Sequence, residues 1–176
     1  MTQQLVSSER KLPRSMHLQC AITIPRPRAE VFHFLTHGVP QHYRSMSPGH
    51  ECFEVQGGGP VRGDSTIVCR ERMQKEEVHH LYRVRAFVPD RHLHYASLPS
   101  RTLIHLKHRV IEGHANTHVY YDLHDQEGGT WLDMLIVIQL PHLLQKWMAQ
   151  VTGSERLWGA HQLDELERMR EVMLAA

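Results

Sequence analysis

Cysteine is scarce in this sequence: Cys20, Cys52 and Cys69 are the only three in 176 residues, and none forms a C-x-x-C pair. An odd, unpaired set excludes a disulfide framework and a cysteine-type structural zinc site, and it fits a reducing compartment. Long hydrophobic runs are missing too. No wholly apolar stretch is longer than Met134 to Ile138, which falls far short of the roughly 20 residues a membrane-spanning helix needs, so no integral membrane segment is expected. Charge of one sign is also absent. Lys plus Arg number 20 against 19 Asp plus Glu, a formal net charge of +1, which gives no electrostatic case for nucleic acid or an anionic membrane. Glycine (11) and proline (9) are too few for a collagenous or low-complexity chain. Residues 1–14 hold no apolar core of signal-peptide length, so residues 1–15 read as a polar arm and the protein is expected to be cytoplasmic.

Catalytic signatures are equally sparse. There is no G-x-S-x-G elbow, no Cys–His signature and no H-E-x-x-H, and Gly57-Gly58-Gly59 is not followed by G-K-[ST]. No catalytic residue is assigned on this basis, and no cofactor is expected.

What the chain does have is a core's worth of apolar residues (41%) and 16 histidines. At this length both a core and an enclosed pocket are feasible, in a single domain spanning 16–176. His92 and His94 are two apart, His114 and His118 share a parity, and His79, His80, His105 and His108 add to the count. Their spacing matches no metal motif, so they read as decoration of solvent faces and no metal site is assigned. Arg83, Arg85, Lys107 and Arg109 likewise read as a solvated stripe.

The order of elements is strand, helix, a long run of strands and a long terminal helix. Leu18 to Ile24 reads as a strand closed by Pro25 and Pro27. Pro27 opens a helix carrying Ala29, Val31, Phe32, Phe34 and Leu35, which Gly38 and Pro40 are expected to stop; Gln41 to Ser47 reads as a second short helix or a turn. Turn chemistry then punctuates the chain at Gly57–Pro60, Gly63-Asp64, Pro89-Asp90, Pro99-Ser100, Gly113 and Gly128-Gly129. From Val78 to Val88 the even positions are mainly apolar and odd ones include His79, Arg83 and Arg85, the alternation of a half-buried antiparallel strand. Thr130 to Leu140 puts Leu132, Met134, Ile136, Ile138 and Leu140 on one face. Pro141 opens a helical tail, bent or broken at Gly153 and Gly159. Along Ala160 to Leu174, Leu163, Leu166, Met169 and Met173 recur at helical spacing, with charges including Glu165 filling the rest. The class is α+β, with a curved antiparallel sheet covered by the terminal helix.

Several segments, in register over residues 16–173, carry a resemblance. They are "IPRPRAEVFHFL", "SPGHECFEV" with "GGGPVRGDSTIVCRE", "VPDRHLHYAS", "DLHDQEGGTWLDMLIVI" and "AHQLDELERMREVM". Together they resemble the START-like, helix-grip (SRPBCC) superfamily of polyketide cyclases/dehydrases and lipid-transport proteins. One departure stands out: eight candidate strands, including Thr102 to Ile111, against the family's seven. That segment is either an insertion at the pocket mouth or a continuation of the preceding strand past Pro99.

The resemblance implies a helix-grip fold with a cavity between the sheet's concave face and the terminal helix, holding a small hydrophobic or aromatic molecule. Tyr82, Trp158 and His161 are the expected ligand-facing contacts and Tyr121 and His94 the polar anchors, with Val84 and Met134 on the inward faces. A non-catalytic binder is the leading expectation. The alternatives are a cyclase/dehydratase- or hydrolase-type enzyme using His94 or His161 with Tyr82 as general acid and base, and an interaction adaptor of the quinone-binding or ribosome-associated type, which would display a large exposed apolar patch. A second copy of the chain is the one macromolecular partner left open.

Overall fold

The computed structural model describes residues 14–143 and 153–175. Most of the expected polar arm (1–13) and the beginning of the helical tail (144–152) lie outside them. Seven antiparallel strands form one sheet in the order β1-β7-β6-β5-β4-β3-β2. They are β1 (Ser15–Ile24), β2 (His50–Val55), β3 (Thr66–Met73), β4 (Glu76–Val88), β5 (His92–Leu106), β6 (Arg109–Gln126) and β7 (Gly129–Gln139). Strands β2 to β7 follow one another across the sheet, while β1 pairs with β7 from Ser15↔Gln139 to Ile24↔Thr130. The crossover from the β1 edge to the β2 edge is helical: α1 (Arg28–His33), a π-helical turn (Phe34–Gly38) and α2 (Val39–Met46). The terminal helix α3 (Ser154–Ala175) lies against the sheet. This is the α+β, helix-grip arrangement expected from the sequence.

Gly38 and Pro40 do not stop the first helix; they widen it. Val39 donates its N–H to the Phe34 carbonyl five residues back, so the chain passes Gly38 as a π turn and continues into α2. Pro40 has no N–H to give the Thr36 carbonyl. Val61 supplies one instead, at 2.8 Å. The carbonyl that proline leaves free thus anchors the loop before β3.

Thr102 to Ile111 is not an eighth strand. It is the end of β5, a turn and the start of β6, so the preceding strand does run on past Pro99. Pro99 and Gly113 break nothing. The register slips between Ser97 and Ser100, and a proline at such a bulge removes no ladder hydrogen bond. The Ser100 hydroxyl donates to the Ala115 carbonyl at 2.8 Å and stands 2.8 Å from the Thr117 hydroxyl, stitching the bulge to β6.

The alternation of β4 holds from Val78 through His80, Tyr82 and Val84, all buried. A second slip between Val84 and Ala86 reverses the parity, because an extra residue turns the following side chains over. Val88 is therefore exposed, and Phe87 packs inward, edge-on to Phe32 at 5.2 Å. At the β6–β7 turn Gly129 has φ +153°, and a Cβ there would lie 2.1 Å from the Ile24 carbonyl oxygen. Only glycine lets that hairpin close on the end of β1.

Helix α3 divides into two halves. Leu166, Met169 and Met173 join Ile22, Ile24, Val31, Phe32 and Leu132 in the core. The N-terminal half meets the sheet through His161 and Gln162, whose amide donates to the carbonyls of Met134 (3.2 Å) and Leu18 (3.4 Å). Leu163, expected in the core, points to solvent. Glu165, expected outside, points in, with its side chain only 15% exposed. No helix among the described residues is long and apolar enough to cross a membrane.

Candidate functional site

Where the two halves of α3 part company, the sheet and helix border a partly open cavity of about 640 Å³. Its apolar wall comes from alternate residues of four strands: Val78 and Tyr82, Tyr95, Val119 and Tyr121, Met134 and Ile136. Residues of the β3–β4 turn, from Met73 to Glu76, and of the first part of β6, from Ile111 to His114, also line it, as do Ser154, Leu157 and Trp158 of α3. Two short hydrogen bonds tie α3 to the first residue of β4. Trp158 Nε1 donates to Glu76 Oε2 at 2.6 Å and Ser154 Oγ to Glu76 Oε1 at 2.5 Å.

Of the residues expected to face a ligand, Tyr82, Tyr121, Met134, Trp158 and His161 line this cavity. Val84 is buried in the adjoining core but does not reach the cavity. His94 is on the opposite face of the sheet. Leu93 and Tyr95 take the inward parity of β5, which leaves His94 stacked on Tyr120 at 4.1 Å and 3.2 Å from the His118 ring nitrogen. Burying Leu93 and Tyr95 rather than two histidines is the cheaper choice for that strand.

The far end of the cavity is polar, with Tyr43, Cys69, Glu71, His80, His161 and Glu165 on its wall and His50 one layer behind. Tyr43 donates its hydroxyl to Glu71 Oε1, and the Cys69 thiol donates to the same oxygen at 3.4 Å. Glu71 Oε2 stands 4.0 Å from His161 Nε2, and Glu165 Oε2 stands 4.0 Å from His50 Nε2. Seven histidines are exposed and six half-buried, several beside acids, as with half-buried His79 on Glu77 (2.6 Å) and His92 on Asp122 (2.7 Å). His50, His80 and His161 are the buried exceptions.

The two carboxyl groups are driven apart. Burial, together with the negative charge of Glu71, pushes Glu165 up to about 8. Burial also works to raise Glu71, but the neighbouring imidazoles of His80 and His50 and the Tyr43 hydroxyl outweigh it and hold that group below the usual carboxylate range. Burial lowers His80 to about 4 and brings His50 below its ordinary value. At neutral pH the site therefore holds an ionised Glu71, a protonated Glu165 and neutral imidazoles at His50 and His80. It resembles other sites in which one carboxyl group is an acid and its neighbour a base. Burial also keeps the hydroxyls of Tyr43, Tyr82, Tyr95 and Tyr121 protonated, so each remains a donor.

Glu71, Glu165 and His50 were not legible as site residues. Glu71 lies on the inward parity of β3 with Ile67 and Cys69, a signal that was present; Glu165 follows His161 by one helical turn. Only contact across the fold brings His50 to them.

No family model and no curated protein matches the sequence. Solved structures do. Ginseng major latex-like protein 151 from Panax ginseng superposes with a TM-score of 0.64 at 9% identity, covering 92% of this chain and 99% of that one. KanY gives a TM-score of 0.64 at 9% identity, with 90% and 97% covered. Ara h 8.0201 gives 0.59 at 11% identity, with 92% and 99% covered. At these identities the likeness establishes the architecture.

Proposed function

Starting from a helix-grip fold, we propose that this chain binds a small hydrophobic or aromatic molecule between its sheet and its terminal helix. The observation that carries this reading is the cavity of about 640 Å³, apolar along the sheet and polar at one end. Ligand sites are typically concave and apolar, with a few placed polar groups that fix orientation. Tyr82, Tyr121, Met134 and Trp158 would contact the apolar body of the ligand. His161, with Glu71 beside it, would hold an oxygen-bearing end. A guest that buries about 250 Å² of apolar surface gains roughly 6 kcal/mol before the costs of association.

Thermal-shift screening against lipids, aromatic polyketides and quinones tests the reading. A binder at a hundredfold excess over its Kd stabilises by about 2.7 kcal/mol. Met134→Trp, which pushes a larger ring into the cavity from its apolar wall, should reduce that shift without unfolding the protein. Indifference to every apolar ligand, or shifts unchanged by Met134→Trp, would overturn it.

A cyclase/dehydratase is the second reading, and the facing acid and base favour it. Glu165, protonated, is suited to donate a proton, and Glu71, ionised, to accept one. Both lie on the cavity wall with His161, whereas His94 does not. Turnover of a bound polyketide-like substrate, lost in both Glu71→Gln and Glu165→Gln, would select this reading over simple carriage. The large apolar side chains exposed among the described residues are spread over β4, β6, β7, residue 143 and α3, so nothing favours an adaptor.

A further inference from the structure

Two imidazole nitrogens are buried at the polar end of the cavity with nothing to bond. His50 is 5% and His161 7% exposed, and the Nε2 of each lacks a hydrogen-bond partner among the described residues. An unsatisfied buried polar atom costs about 1–3 kcal/mol, and folded proteins hold few of them. Here two share one space. The rings meet edge to face, with centroids 5.1 Å apart and planes at 84°.

His50 is fixed from behind. The Tyr43 ring stacks on it at 3.9 Å, and His50 Nδ1 lies 2.8 Å from the Tyr43 carbonyl oxygen. A carbonyl only accepts, so the proton sits on Nδ1 and the Nε2 lone pair faces the gap. Glu165, four residues after His161 on α3, presents its carboxyl group on the same side of the helix. One ligand-capable atom from each of His50, His161 and Glu165 falls within a cluster no wider than 4.8 Å.

We propose that His50, His161 and Glu165 form a binding site for a divalent transition-metal cation of the zinc class, with an open coordination position toward the cavity. Two imidazoles and a carboxylate, Glu165 releasing its proton as the cation binds, are a donor set suited to zinc and its neighbours, whereas calcium and magnesium prefer oxygen alone. Tetrahedral bonds of 2.0–2.1 Å place donor atoms about 3.4 Å apart. The His50–Glu165 separation of 4.0 Å therefore needs to close by about 0.6 Å, and the widest pair of the three, within 4.8 Å, by up to about 1.4 Å. The carbonyl behind His50 is the outer-shell partner that orients a metal-bound imidazole. Glu71 Oε2, 4.0 Å from His161 Nε2, stands ready to accept a hydrogen bond from water at the open position. Three protein ligands and one free position mark a catalytic rather than a structural metal site. The cation would polarise an oxygen-bearing group at the end of the cavity where a ligand's polar head would lie.

The site stands independently of any organic ligand, so its test uses the metal alone. Chelator-stripped full-length protein is titrated with Zn²⁺ against a chromophoric competitor, and with Co²⁺ by its visible absorption. One tight equivalent is expected. His161→Ala and Glu165→Gln should each weaken it by about 100-fold or more, since losing a direct ligand exceeds the 10–100-fold seen for outer-shell partners. His92→Ala with His94→Ala, on the exposed face, should leave it unchanged. Tight binding that survives in folded His50→Ala/His161→Ala protein, or stripped wild type that takes up no tight equivalent, would overturn the site. Should the variants fail to fold, X-ray absorption of the zinc-loaded wild type decides. Two imidazoles with oxygen ligands at about 2.0–2.2 Å are expected, and any other first shell contradicts the assignment.

Discussion

Removing one hydrogen-bond donor should loosen half of a helix and leave the other half in place. Trp158→Phe keeps an aromatic ring against His161, its T-shaped neighbour at 5.6 Å, but deletes the N–H that reaches Glu76 at 2.6 Å. Hydrogen bonds to charged groups contribute about 1.5–3 kcal/mol. This one is part-buried, so screening by solvent puts it at the lower end, about 1.5 kcal/mol, or roughly a tenfold change in local opening. Ser154 retains its own bond to Glu76 at 2.5 Å, which caps the loss. Amide hydrogen exchange resolved by peptide is the assay. Residues 154–165 should exchange roughly tenfold faster, while residues 166–175, anchored by Leu166, Met169 and Met173, change little. Glu76→Gln should act in the same direction, and the double variant should cost less than the sum of the two. Uniform acceleration along α3, or none at residues 154–165, would refute the view that Glu76 latches the helix over the cavity.

Other consequences are simpler to read. Leu166→Ala removes a core side chain that is 1% exposed and should cost about 2–5 kcal/mol in urea unfolding, since the packed half of α3 leaves little room to collapse. Gly129→Ala drives a Cβ to 2.1 Å from the Ile24 carbonyl; it should destabilise by more than about 2 kcal/mol or prevent folding, as judged by circular dichroism against wild type. His94 is lowered to about 4 by burial and by its neighbours His118, His92 and Arg85. The folded state therefore binds this proton less readily than the unfolded chain, and stability should fall as pH drops from about 6.5 toward 4. Because the ring is half-buried, about 1 kcal/mol is expected rather than the full value; His94→Asn should flatten that part of the pH–stability curve.

The sheet was readable from sequence wherever one face met core and the other water. Strand β4 shows the limit. Its alternation places Val78 to Val84 correctly, then fails at the slip after Val84, because a bulge leaves no mark in a binary pattern. Pro99 misled for the same reason: a proline normally ends a strand, but here a bulge absorbs it. Helix α3 hid the site more thoroughly. Reading its inward face as the apolar one selects Leu163 and discards Glu165, yet the wall of a cavity need not be apolar. His50 had no local cue, because its partner His161 is distant in sequence and only the fold brings the two rings within 5.1 Å. Tyr82, Tyr121 and Met134 were legible because the apolar wall of the cavity continues the pattern of the core.

The most direct measurement is a crystal structure of the chain grown with the apolar compound that most raises its melting temperature. Electron density for the compound, bounded by Tyr82, Tyr121 and Met134 on one side and Trp158 and His161 on the other, is the predicted result. A sheet and helix packed flush, with side chains filling the space between them and the compound elsewhere or nowhere, would contradict it.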